Sequence, residues 1–223
     1  MKKLILLFIV ALAALPAAGQ KGNWYLGGVA SFSSTTNKSP SIPGAGTISS
    51  TTTGWALGPE IGTYLQDNVQ LGLYLGLGGS SQSYEGGGTS ADVSKTSEFS
   101  PTVYTRKFFN ISDNLSAFYG FYLTYFSGST TNYPVGGGTP NEDKYSGFGL
   151  RLGVGIAYAL SPRFTAVGQY GLIGYQNVSY TNNGQDDGSQ STFDFGVNTI
   201  GYGSSAQTGG VFNVGIYYTI KAN

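Results

Sequence analysis

The chain has 223 residues, room for one barrel or sandwich or at most two small domains. Only 10% of them are charged, against about 25% in an ordinary soluble domain, while 36 Gly, 17 Tyr, 13 Phe and 2 Trp crowd the sequence. With no Cys and no His there is no disulfide framework, no thiolate or imidazole metal site and no His-based catalytic centre, and a formal net charge of zero removes the electrostatic case for nucleic acid.

Lys2 and Lys3 open the chain, the apolar run 4–15 follows, and Pro16-Ala17-Ala18-Gly19 closes the segment. A basic start, a short apolar core and small residues at the cut make residues 1–19 a secretory signal peptide, cleaved before Gln20. The run is too short for the ~20 residues of a transmembrane helix. The mature domain is then 20–223, and losing Lys2 and Lys3 leaves it with a net charge of −2. No later apolar run reaches helical membrane length, so the exported chain is either soluble or crosses a membrane with strands of about 9–11 residues.

The hydrophobic period is two. In the segment 69–77, Val69, Leu71, Leu73, Leu75 and Leu77 alternate with Gln70, Gly72, Tyr74 and Gly76, which places all the aliphatic residues on one face of a strand. Similar stripes begin at Trp24, Trp55 and Phe99, then at Ala117, Phe148, Phe164 and Phe212, and predict eight strands in all. Three connections are tight: 66–68, 110–114 and 161–163, rich in Asp, Asn, Ser and Pro. The others, roughly 34–53, 84–97, 129–144 and 181–208, are Ser/Thr/Gly/Asn segments and are read as four long loops. The glycine runs 86–88 and 136–138 within them are expected to be mobile.

No charge interrupts the Leu/Phe face in mid-strand, whereas Glu60, Glu98, Arg106 and Arg151 all lie on the small or polar face. An Arg or Lys facing lipid at the midplane costs about 2–4 kcal/mol, and an eight-stranded lumen is narrow, so the Leu/Phe face is outward and the Gly-rich face inward. Aromatics gather at both strand ends. One rim collects Trp24, Tyr25, Tyr64, Phe108, Phe109, Tyr158 and Phe164, and the other Phe32, Trp55, Tyr84, Phe99, Tyr125, Phe126, Tyr145 and Phe148. Two belts suit two membrane interfaces. A secreted lipocalin-like binder, polar outside and apolar within, is the weaker alternative.

On these residues the mature chain resembles the small OmpA/OmpX-like outer membrane β-barrels: all-β, an eight-stranded antiparallel up-and-down transmembrane barrel with short periplasmic turns and four long extracellular loops. The resemblance implies the outer membrane of a Gram-negative cell and contact with its lipids and lipopolysaccharide. It also implies a C-terminal assembly signal read by the barrel-assembly machinery, here Asn213, Gly215, Tyr218 and Ile220. The chain departs from that pattern by continuing into Lys221-Ala222-Asn223 rather than ending on Phe.

Lipases, deacylases and proteases of this barrel class use His, which this chain lacks, so no catalytic residue and no cofactor is expected. The acidic groups Glu142-Asp143 and Asp186, Asp187, Asp194 read as solvated loop charge rather than a metal site. Inside the lumen, charges must pair or stay hydrated. Glu60 is expected to accept from Arg151 or Arg106 and plug the bore, although the many inward glycines leave room for a narrow water path. The function expected is non-enzymatic: a surface scaffold whose loops are passive or meet an extracellular ligand. The alternative is a narrow channel for small solutes.

Overall fold

The computed structural model describes residues 22–39, 48–66, 68–86, 89–134, 138–182, 185–195 and 213–220. The signal peptide and its cleavage site, residues 87–88 and 136–137 of the glycine runs, residues 196–208 of the last expected loop and residues 209–212, including Phe212 at the start of the last expected stripe, lie outside the described residues, as do the side chains of Asp194 and Asn213.

The described residues form nine antiparallel strands: β1 (Trp24–Lys38), β2 (Ser49–Gln66), β3 (Val69–Gly86), β4 (Thr89–Asn110), β5 (Leu115–Asn132), β6 (Asn141–Ala159), β7 (Phe164–Asn182), β8 (Gln185–Phe195) and β9 (Asn213–Ile220). Each of β1 to β7 pairs with the next, and β9 closes the ring between β7 and β1. The ring therefore has eight wall positions, the last shared by two strands. β9 pairs with Phe164 to Gln169 of β7, and β8 continues along β7 from Ile173 to Asn182. Closure with β1 is confined to Trp24↔Ile220 through Gly28↔Ile216 at the turn end.

The alternation expected from sequence sets the two faces. Leu57, Leu73, Leu75, Leu77, Leu150, Ile156, Val214 and Ile216 are exposed on the outside, and the polar or aromatic residues between them are buried. Phe99 and Phe109 on β4, like Phe148 and Tyr158 on β6, are exposed rings about ten residues apart. At 3.3 Å per residue and a tilt of about 40°, that separation is ~25 Å of height, the apolar band of an outer membrane barrel. The structure corrects the belts for five residues. Tyr25, Phe108 and Phe126 are buried in the lumen, and Tyr64 and Tyr145 are half-buried there, because each falls on the inward parity of its strand.

The long-loop expectation is corrected as well. Residues 34–38, 49–53, 84–86, 89–97, 129–132 and 141–144 continue the barrel strands, and 185–195 adds β8. Physically, β-branched Thr suits the strand, and hydroxyls on adjacent strands bond one another: Thr36 to Thr51 (3.1 Å), Thr53 to Ser81 (2.7 Å) and Thr96 to Thr130 (3.0 Å). These extensions outrun the apolar band and form a polar β-collar beyond it. At the other end the turns are tight as expected, and Asn68 takes a left-handed conformation (φ 68°) in the β2–β3 turn.

Candidate functional site: the lumen plug

Strand parity aims one polar or aromatic side chain after another at the axis, and at mid-barrel they converge on Arg106 of β4. Arg106 is 1% exposed. Its Nη1 donates to Glu60 Oε1 at 3.0 Å, Nε to the Tyr122 hydroxyl at 3.1 Å and Nη2 to Gln169 Oε1 at 3.2 Å. The guanidinium carbon sits 4.1 Å from the centroid of the Tyr104 ring and 5.4 to 5.7 Å from those of Phe118, Tyr217 and Tyr122. Rings at that distance stabilise a desolvated cation by about 2 kcal/mol.

Glu60, on β2, is the matching anion. Besides Arg106 it accepts from the hydroxyl of Tyr217 at 2.7 Å and from that of Tyr104, to which the Tyr25 hydroxyl is bonded in turn. Tyr122 closes the circuit by donating to Gln169 Oε1 at 2.8 Å. Seven side chains from six of the eight wall positions thus meet across the bore. Burial of a charge is tolerable only when it is paired and its remaining valences are bonded, and both conditions hold here.

Of the three residues expected to form a lumen network, the structure joins Glu60 and Arg106. Of the two arginines considered for Glu60, the ion pair is with Arg106. Arg151 lies half-buried on β6, opposite Tyr122 and Gly174. Glu98, the other lumen carboxylate, accepts from Tyr145 at 2.8 Å.

The residues missed from sequence are the rings. Tyr25, Tyr104, Phe118, Phe126, Tyr145 and Tyr217 each face a glycine directly across the ladder: Gly62, Gly72, Gly155, Gly147, Gly128 and Gly27. A Cβ on any of those glycines would meet the facing ring. These six inward glycines therefore seat rings from neighbouring strands rather than leaving empty space beside them. A signal for this was present, an aromatic and a glycine at matched inward positions of adjacent strands, but reading it needs the register.

Elsewhere the acidic groups are used locally. Asp143 accepts from Asn132 (2.8 Å) and Asn141 (3.4 Å), Glu142 pairs with exposed Lys144 (3.2 Å), and Asp186 accepts from the Gly188 N–H (3.0 Å). Among the described residues no group of three or more acidic side chains is placed to hold a metal. In the expected assembly signal, β9 carries Gly215 and Ile220, with Ile220 exposed on the outer face. Tyr218 accepts a hydrogen bond from Arg163 at 3.0 Å.

Among solved structures the chain is similar to the outer membrane protein OprG from Pseudomonas aeruginosa (13% identity, TM-score 0.48, covering 92% of this chain and 99% of that one). It is similar also to a major outer membrane protein from Thermus thermophilus (14%, TM-score 0.49, 90% and 100%). A third is the Neisserial surface protein A (11%, TM-score 0.42, 89% and 99%). No curated protein matches it. The family model for the outer membrane protein beta-barrel domain matches residues 4–200, most of the chain. With a closed eight-position ring whose apolar face is outward, the chain belongs to that family and is a β-barrel protein of the outer membrane.

Proposed function

We propose that the protein is a closed, non-enzymatic scaffold that spans the outer membrane and presents its polar β-collar outside the cell. The observation that carries this reading is the plug: the Arg106–Glu60 pair and its ring of tyrosines, buried across the lumen. Passage of a hydrated solute would require the pair to separate, and stripping one partner from a buried ion pair costs about 3–5 kcal/mol. The Glu60 carboxylate is also a poor general base, since it is already occupied by three donors.

On this reading the short turns face the periplasm and the collar faces outward, where its Ser/Thr surface meets lipopolysaccharide or an extracellular ligand. The outer Leu/Phe face contacts membrane lipids. The strand Asn213–Ile220 serves as the segment the barrel-assembly machinery reads, after removal of residues 1–19 on export. Planar-bilayer recording tests the central point. The wild-type protein is expected to give no steady conductance, and Arg106→Met paired with Glu60→Gln is expected to remain closed because the rings still fill the bore. Steady single-channel currents from the wild type, changed in size by Glu60→Gln, would establish the narrow-channel alternative instead.

A further inference from the structure

One residue departs from the apolar outer face. Among the described residues between the two aromatic rims, Lys107 of β4 is the charged side chain on the outward parity, whereas Glu60, Arg106 and Arg151 lie on the inward one. It is half-buried and two residues from Phe109, so at 3.3 Å per residue and a tilt of about 40° it lies about 5 Å inside the turn-end rim. None of the ion pairs among the described residues includes it, and Asp113 of the nearby β4–β5 turn lines the lumen instead. Beside Lys107 the outer wall is hollowed. Two rungs of the ladder run Phe109–Ala117–Ile156–Gly168 and Lys107–Tyr119–Val154–Tyr170. The first carries two residues with little or no side chain, and a groove of about 420 Å³ opens there, its lining almost wholly apolar. The rings of Phe109 and Tyr119, 5.7 Å apart, form one bank and exposed Tyr170 the other.

We propose that this groove and Lys107 together bind one phospholipid of net negative charge, with an acyl chain in the groove and the phosphate against the Lys107 ammonium. Hydrocarbon surrounds this face, so the groove is filled by a lipid chain rather than by water. A lysine a few ångströms inside the rim reaches the interface by extending its apolar stem, and costs little there. The lipid phosphate supplies the anion that the protein does not place beside it. The proposal rests on the turns facing the periplasm, which sets the groove at the opposite side of the membrane from the lipopolysaccharide. It is independent of the plug, so it stands whether or not the bore conducts.

Native mass spectrometry of the full mature protein in detergent micelles tests it, with phosphatidylglycerol, phosphatidylcholine of the same chains and lipopolysaccharide as probes. The expected result is one phosphatidylglycerol retained per protein, with an apparent affinity about fivefold above that of phosphatidylcholine, the difference one Lys makes beside an anionic headgroup. Lys107→Gln should lower phosphatidylglycerol to the phosphatidylcholine level, and Ala117→Phe, which fills the groove, should weaken both. Equal retention of the two phospholipids by the wild type would overturn the proposal, as would unchanged selectivity in Lys107→Gln or unchanged affinity in Ala117→Phe. Preferential retention of lipopolysaccharide, or a protein dimer in place of the lipid, would overturn the choice of occupant. Should Ala117→Phe not fold, Lys107→Gln decides alone, because it removes a charge without adding bulk. An impermeant maleimide on intact cells checks the orientation separately through Thr35→Cys in the collar: labelling there, with equal retention of the two phospholipids, refutes the lipid site and leaves the orientation standing.

Discussion

The two halves of the barrel are held by different physics. In the turn-side half the outer face is Leu, Ile, Val and aromatic, and the interior is a packed array of rings around one ion pair. In the collar the same strands carry Ser and Thr on both faces, and single cross-strand hydroxyl bonds replace core packing. One chain direction and one ladder run through both halves, so the backbone bonds alone do not distinguish them. What differs is the surroundings. Hydrocarbon forbids an open backbone group or a bare charge, whereas water forgives both. The plug region is therefore over-determined and the collar only sufficiently determined, and substitutions should divide accordingly.

The sharpest division is expected at the ion pair. Arg106→Met leaves Glu60 buried without its cation and should cost about 3–5 kcal/mol in urea unfolding from lipid vesicles. Adding Glu60→Gln should recover much of that loss. A single variant as stable as wild type would mean that water reaches the pair, and the contrast between halves would fail. Next is the lipid face. Leu73→Arg or Leu150→Arg should destabilise by about 2–4 kcal/mol in the same assay, and spin labels at Leu73 or Leu152 should report hydrocarbon rather than water. A smaller effect follows at the glycine–ring pairs. In Gly72→Val the new side chain occupies the space of the Tyr104 ring, at an expected cost of about 1–3 kcal/mol. Gly86→Ala, at the collar end of β3, should be nearly silent, because its added carbon meets only the flank of Ile48. The smallest measurable loss is in the collar itself. Thr53→Ala or Thr130→Ala removes one cross-strand bond and should lower stability by about 0.2–1 kcal/mol, visible as faster amide exchange confined to that end.

Much of the architecture was readable because it follows from local parity. Leu71 to Leu77 or Leu150 to Ile156 can be placed on one face from spacing alone, and the absence of charge on that face says which solvent it meets. The carboxylate and guanidinium of the plug were readable for the same reason, since Glu60 and Arg106 share the inward parity. The collar was not, because Ser/Thr segments such as 49–53 and 89–97 have no apolar stripe, and turn and strand compositions overlap there. Nor was the strand pair β8 and β9, whose shared wall position depends on where each meets β7.

The sequence by itself determined the two-faced strands, their outward lipid side and the tight turns at one end, because a period of two and a turn residue act over a few neighbouring positions. Only the tertiary structure decided that Arg106 rather than Arg151 is the ion-pair partner of Glu60, that Tyr104 and Tyr217 complete the plug, and that the inward glycines are seats for rings. Those outcomes depend on the stagger between strands far apart in the chain. A shift of one residue in that stagger would send each ring to the opposite face and dissolve the contact.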